Sequence, residues 1–380
     1  LEASNPVQQW VDYLLNSLGQ ESFEGVLLKP PANALSSENF ITKKGRAPLS
    51  CDEHNLGALK CLRKKITTKP LALGLPIKWS TTPNNSDSIQ NFHTIKEWLL
   101  APQLTWLKNY HLRPDEWNES IQDTESINLN ELQRYILLKK RLEEYHQLNK
   151  AYISNDNPKD YWNRITLGKG ILPPKSAGEI ETDLLEARWA SLNEQINDIG
   201  IISEKSFELK NRLYESLLIG DYQVVIEIGT IKSRAIMRTW IHHLEVANSE
   251  LKTKGTILIG RKSNTKFEKA LIFKPIGQEK AKLHLDNLKS IVDQGQKECW
   301  PVPPESGWAY FVAAHKTPEK AYETFEGIWN GNYKFSGERH NPIMQLCFGT
   351  DCKPSIFLED NKFHENSSLL YSPVINNLAK

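Results

Sequence analysis

The stretch Ser216-Leu217-Leu218-Ile219-Gly220-Asp221-Tyr222-Gln223-Val224-Val225-Ile226-Glu227-Ile228 decides the fold. Two apolar runs rich in β-branched residues flank Gly220-Asp221, a two-residue break of the kind that closes a tight hairpin. The first strand is expected to begin as early as Ser206. Downstream, Ile231 to Ala247 returns to helical spacing, and Gly255 to Gly260 with Phe267 to Phe273 read as a second hairpin across Lys262-Ser263-Asn264. The order helix, hairpin, helix, hairpin, helix predicts an α+β or α/β domain from about Gly168 onward, behind a mainly helical segment.

Working outward, Glu179 to Ile196 is a predicted helix with Ile180, Leu184, Leu185, Trp189 and Leu192 facing inward. Leu129 to Leu148 is another, with Leu129, Leu132, Ile136, Leu137, Leu142 and Tyr145 on one side. Between them, Gly168-Lys169-Gly170 lacks the GxxxxGK[ST] frame of a phosphate loop. Phe92, Ile95, Trp98 and Leu99 predict a helix, Pro102 an interruption, and Leu104 to Leu107 a second helix ending before Arg113-Pro114. Farther upstream come a helix from Pro6 to Leu18, a Pro- and Ser-rich connector from Lys29 to Pro48, and a short basic helix from Leu56 to Lys65. Toward the end, helices are expected at Ala281 to Gln294 and Pro318 to Trp329, then mixed structure. The expected division is 1–87, 88–167 and 168–380.

Composition bounds the function. With 380 residues, 39% hydrophobic and 24% charged, the chain is a globular protein of two or three domains. No apolar run is long enough for a membrane span, and the start is amphipathic rather than signal-like, so cytoplasmic residence is expected. Five cysteines without a CxxC pair read as reduced thiols, and no metal is expected. Because it opens on helical spacing at a leucine, the sequence reads as part of a longer protein. The formal net charge of +1 hides structure: Lys29 to Lys78 holds 10 Lys and Arg against 3 Asp and Glu, and Glu227 to Lys274 holds 10 against 4. Two basic stretches in an acidic background could line a nucleic-acid path. The plainer alternative is two solvated faces.

Single residues carry less. His242 and His243 point about 100° apart on a helix and do not share an ion readily; one is expected in the core and one exposed. Glu179, Glu181, Asp183 and Glu186 suit the start of a helix and need no further reason. Trp98, Trp106, Trp189 and Trp240 lie on apolar faces and are expected in the core. Lys262 and Lys266 flank a hairpin tip, and Lys232 and Arg234 open a helix; these four are the candidate DNA contacts.

Three passages carry a family resemblance: Phe92 to Leu112, Leu172 to Trp189, and Pro303 to Phe348 with its Pro304-Glu305-Ser306-Gly307. With Trp240-Ile241-His242-His243-Leu244 in the same order, and Asn5 to Asp12 as an exit from a helicase-like half, the chain resembles the C-terminal third of the RecC family, the gamma subunits of bacterial exodeoxyribonuclease V. The resemblance implies a degenerate PD-(D/E)XK nuclease-like domain. The position of the metal-binding His of active relatives, four after Gly178, is Thr182; Ser216-Leu217-Leu218-Ile219 offers no Asp; and Val225 to Gly229 offers Glu227 without a following Lys. Phosphodiester hydrolysis needs carboxylates for Mg²⁺ and a group to position water, so no catalytic residue is expected. A related iron–sulfur class would need a Cys where Ala101 stands, so no cofactor is expected.

The resemblance further implies a non-catalytic scaffold in a RecBCD-type helicase–nuclease. It would meet RecB-like and RecD-like subunits and double- and single-stranded DNA, help to split the duplex and share in recognising the recombination hotspot, near the bacterial nucleoid. Two alternatives stand beside it: an active metal-dependent nuclease with a migrated site, and a pure protein–protein docking module.

Overall fold

The computed structural model describes residues 5–19, 31, 33–41, 47–63, 72–78, 92–114, 129–147, 162, 176–203, 216–333 and 335–379. The chain divides into two compact units, 1–69 and 70–380. The expected boundaries near 88 and 168, and the Gly168-Lys169-Gly170 loop, lie outside the described residues. In the first unit α1 spans Asn5–Leu18 and α2 spans Glu53–Arg63. α2 starts three residues ahead of its apolar pattern because the Asp52 carboxylate accepts the Asn55 N–H at 3.0 Å, capping the first turn.

In the second unit the helices are α3 (Phe92–Leu100), α4 (Pro102–Lys108), α5 (Glu131–Gln147), α6 (Ser176–Ile199), α7 (Ser233–Asn248), α8 (Gln278–Lys297), α9 (Pro304–Lys316), α10 (Ala321–Asn330), α11 (Pro342–Phe348), α12 (Ser355–Leu358) and α13 (Asn361–Asn376). The strands are β1 (Ser216–Ile219), β2 (Tyr222–Thr230), β3 (Thr256–Arg261), β4 (Phe267–Phe273), β5 (Gly331–Asn332) and β6 (Phe335–Ser336). The main sheet runs in the order β1-β2-β3-β4. β1 and β2 form the expected hairpin, with Gly220 at φ 57° in its turn. Of the strand expected from Ser206, 204–215 lie outside the described residues. β2 and β3 are parallel, joined by α7, and β3 and β4 form the second hairpin.

Mixed helix and sheet is thus the observed class, and the strand residues show why. Val225, Leu258 and Phe273 point into a core built with α3, α4, α7, α8 and the C-terminal helices. Val224, Ile228, Ile257 and Ile259 point into a second core against α5 and α6. A sheet covered on both faces needs near-continuous apolar strands, which is what these sequences are. Close approach is built in: a Cβ on Gly295, inside α8, would sit 2.3 Å from the Trp98 ring. The four tryptophans expected in the core, Trp98, Trp106, Trp189 and Trp240, are all buried.

Several expected faces are corrected. Leu132 and Ile136 are exposed, while Leu137, Leu138 and Arg141 form the buried side of α5. The helix is rotated by two guanidinium groups that must meet partners on α6: Arg134 pairs with Glu181 and Arg141 with Glu186, both at 2.7 Å. Arg141 also lies over the rings of Trp162 and Trp189. Glu181 and Glu186 are therefore specific counterions rather than generic helix-start acids. Ile180 is exposed. Pro304, for which no helix was expected, opens α9, since proline at the first helical position loses no bond.

His242 and His243 are both buried, against the expectation of one in and one out. α7 is enclosed by the sheet and by α3, α8 and α9, which leaves it little solvent face. His242 packs near Phe92. His243 stacks on Phe273, and its Nδ1 lies 2.8 Å from Thr256 Oγ1. Burial, helped by the charge of nearby His284 and opposed by a backbone bond at Lys274, brings His243 down to about 4 from 6.5. The sign follows directly. The unfolded chain takes up this proton below about pH 6.5 while the fold refuses it until about pH 4, so stability falls as pH falls through that window. The loss approaches about 3 kcal/mol at the acid end. In urea melts between pH 7 and 4, His243→Asn should show a visibly shallower pH dependence than the parent protein; parallel curves would contradict this.

Candidate nucleic-acid interface

Lys232 caps the start of α7 and Arg234 lies in its first turn, directly after β2. Lys262 follows β3, and Lys266 precedes β4. Because β2 and β3 are parallel and Thr230 pairs with Arg261, the C-terminal ends of both strands lie at one end of the sheet. All four candidate DNA contacts therefore sit at that end, and all four are exposed. Crevices outside the carboxyl ends of parallel strands are where open α/β sheets take ligands.

Lys232 and Arg234 line a cleft of about 570 Å³ with Gln103, Phe335, Glu338 and His340. Its floor explains the Pro304-Glu305-Ser306-Gly307 motif. The Glu305 carboxylate accepts the Ser233 N–H at 3.0 Å and so serves the start of α7. The Glu338 carboxylate accepts the N–H groups of Glu305 and Ser306 and the Ser306 hydroxyl, serving the start of α9. Burial pushes the Glu338 carboxyl up, against the bonds from Ser306 and Glu305 that hold it down. A Cβ on Gly307 would meet Val302 at 2.2 Å. The Ser233, Glu305 and Ser306 N–H groups at these helix starts, of the kind that hold phosphates elsewhere, are thus engaged by the protein's own carboxylates. Cationic side chains are left to face the cleft.

At the other side, Lys262 pairs with Glu268 at 2.6 Å, with both groups in solvent. The turn itself is fixed: the Lys262 and Ser263 N–H groups donate to the Lys266 carbonyl. Arg188 Nε donates to the Asn264 carbonyl at 2.6 Å, anchoring the turn to α6. The first basic stretch contributes little that can be placed, since 29–30, 32, 42–46 and 64–71 lie outside the described residues.

The positions singled out under the expectation of a nuclease-like domain, Glu227, Thr182 and Ser216, have partners within the protein. Glu227 is followed by a bulge, with Glu227 opposite Gly260 and Thr230 opposite Arg261. Its side chain folds back to accept the Gly229 N–H at 2.9 Å, and Arg238 donates to its other oxygen at 2.5 Å. Thr182 is buried and donates to the Glu179 carbonyl. Ser216 accepts from buried Gln223, which also donates to the His242 carbonyl and accepts from Thr256. No three His, Cys, Asp or Glu side chains gather as a metal set among the described residues. Cys299, Cys347 and Cys352 are buried in the larger core, and burial pushes the Cys352 thiol up to about 12.

The family model of the RecC C-terminal domain matches residues 91–315, more than half of the chain. The chain belongs to the RecC C-terminal domain family. No individually curated protein matches it. The match takes in Phe92 to Leu112, Leu172 to Trp189 and the opening of the Pro303 to Phe348 passage; Asn5 to Asp12 and everything after 315 lie outside it. Membership in the RecC family ties the chain to the RecBCD complex, exodeoxyribonuclease V, and to DNA repair, with RecB and RecD as the accompanying subunits. Among the described residues of this RecC domain, no helix is long and apolar enough to cross a membrane.

Sequence reasoning missed Arg238, Glu305 and Glu338. Arg238 sits four residues from Arg234 in the helix after β2, and that local excess of basic residues was the available signal. For Glu338 there was none, because its partners lie more than thirty residues away.

Proposed function

We propose that this chain is a non-catalytic, DNA-guiding part of its helicase–nuclease, built on a degenerate PD-(D/E)XK nuclease-like domain. The hairpin, the crossover helix α7 and the parallel strand β3 support that ancestry. The observation that carries the reading is the division of labour at one sheet end. The single carboxylate of β2, Glu227, is neutralised by Arg238, while Lys232, Arg234, Lys262 and Lys266 face solvent. A metal-dependent hydrolase needs the reverse, carboxylates open to Mg²⁺. Cationic side chains at the rim would track phosphates, aid strand separation and hold one strand on its way to the nuclease of RecB. Hotspot recognition would be shared with the helicase-like half of the subunit, and contact with RecD with other surfaces.

The test is binding of forked DNA by the full chain, followed by fluorescence anisotropy at several salt concentrations. Changing Lys232, Arg234, Lys262 and Lys266 together to alanine should weaken binding about 10- to 100-fold and flatten the salt dependence. The DNA should stay uncut in Mg²⁺. Unchanged affinity in the fourfold variant, or cleavage abolished by Glu227→Ala, would overturn the reading.

A further inference from the structure

The richest unexplained cluster lies beneath the Lys262 to Lys266 turn. Arg134 from α5, Arg188 from α6 and Arg261 at the end of β3 converge on one carboxylate, Glu131. Arg134 and Arg188 reach Oε1 at 2.8 and 3.0 Å, while Arg188 and Arg261 reach Oε2 at 3.2 and 2.8 Å. Arg134 has its own counterion in Glu181, which it grips through Nε and one terminal nitrogen. Among the described residues Arg188 and Arg261 share Glu131 alone. Two guanidinium groups, 2% and 11% exposed, thus face a single negative charge.

The protein does not need Glu131 for its helix. Asn130 and Gln133 already cap α5 reciprocally, each side chain accepting the other's N–H at 2.8 Å. The Glu131 side chain is 53% exposed although its partners are nearly buried, so the anion position opens to solvent while the cations stay fixed. Its two oxygens, each held by two donors from different arginines, match the two non-bridging oxygens of a phosphodiester, for which forked guanidinium groups are the preferred partners.

We propose that Arg134, Arg188 and Arg261 form a phosphate-binding site that Glu131 fills in the free chain and that a DNA phosphate displaces. For its ligand this rests on the DNA-guiding reading above; the site itself does not. Crowding supports it. Burial and then the charge of Arg188 pull Arg261 below its usual value, against the help of Glu131, so the site favours more negative charge. Glu131, although burial pushes it up, is held at about 2 by bonds from Arg188 and Arg134 and by the charges of Arg188 and Arg261. It therefore competes as an anion at every working pH. Neighbouring phosphates of a strand seated there would pass Lys262 and Lys266 on the same turn.

The experiment uses the full chain, a labelled single-stranded 20-mer and, separately, inorganic phosphate read by thermal shift. Glu131→Gln removes the competing charge but keeps an acceptor for the arginines. It should bind the oligonucleotide about tenfold more tightly, and millimolar phosphate should raise its Tm more than that of the parent protein. Adding Arg261→Gln should cancel both gains. If Glu131→Gln proves unfolded, Glu131→Asp, whose shorter arm withdraws the carboxylate from Arg261, should show the same gains in smaller measure. A phosphate response without any DNA binding would keep the anion site and remove the DNA reading. DNA binding that depends on Lys232, Arg234, Lys262 and Lys266, with no gain in either assay from Glu131→Gln, would overturn the site and leave that reading intact.

Discussion

Replacing Arg188 with alanine is expected to lower the unfolding free energy by about 3–5 kcal/mol, the usual consequence of breaking a buried charge network from one side. The side chain is 2% exposed and holds two elements at once. One side of the guanidinium grips the hairpin turn, Nε on the Asn264 carbonyl and a terminal nitrogen on Asn264 Oδ1 at 2.8 Å; both terminal nitrogens also serve Glu131. Without it the turn loses its tie to α6, and Glu131 is left with Arg134 and Arg261. Arg188→Lys should recover only part of the loss, because a single ammonium has no fork to span the turn and the carboxylate together. Urea denaturation of the two variants checks this. A cost below about 1 kcal/mol for alanine would mean that the turn is set by its own backbone bonds.

The contrast between legible and illegible features follows from the range of the interactions involved. The β1–β2 hairpin was readable because its signal is local: two apolar runs and Gly220-Asp221 between them. Core tryptophans were readable because burial repeats with the helix. The inward turn of α5 was not, since Arg134 and Arg141 are drawn in by carboxylates more than forty residues away, and apolar periodicity assigns arginine to solvent by default. The two histidines failed for a related reason. Spacing gives the angle between neighbours but not how many elements surround the helix, and α7 is surrounded almost completely.

The candidate interface was half legible. Lys232, Arg234, Lys262 and Lys266 could be picked out as cations beside a helix start and a hairpin tip. Their shared end of the sheet depends on β2 and β3 being parallel, which places Thr230 beside Arg261. What the sequence could not convey is that Glu227 is held in an ion pair by Arg238, one helix turn past Arg234. The same limit applies to Glu131, whose three arginines come from three separate elements and have no common spacing.

Trp240→Ala should cost a similar 3–5 kcal/mol, as large aromatic deletions in a closed core do. The indole is 1% exposed between α7, the sheet and α8, with Phe273, His243 and His284 centred 5.5, 5.7 and 5.5 Å away. Its removal opens space on the wall that keeps His243 dry, and this gives the variant a second signature. A polar-lined opening beside Thr256 and two histidines suits water. Hydration would relieve the burial that depresses His243, moving its folded value back toward 6.5 and shrinking the acid-dependent part of the stability. The alanine variant should therefore be much less stable at pH 7 yet lose less on going to pH 4 than the parent protein does. Trp240→Phe fills most of the volume and should keep the parental pH dependence at a smaller overall cost. If alanine lowered stability equally at both pH values, the indole would be filling space without keeping water from His243, and the low value of that histidine would have to come from the sheet side of its pocket.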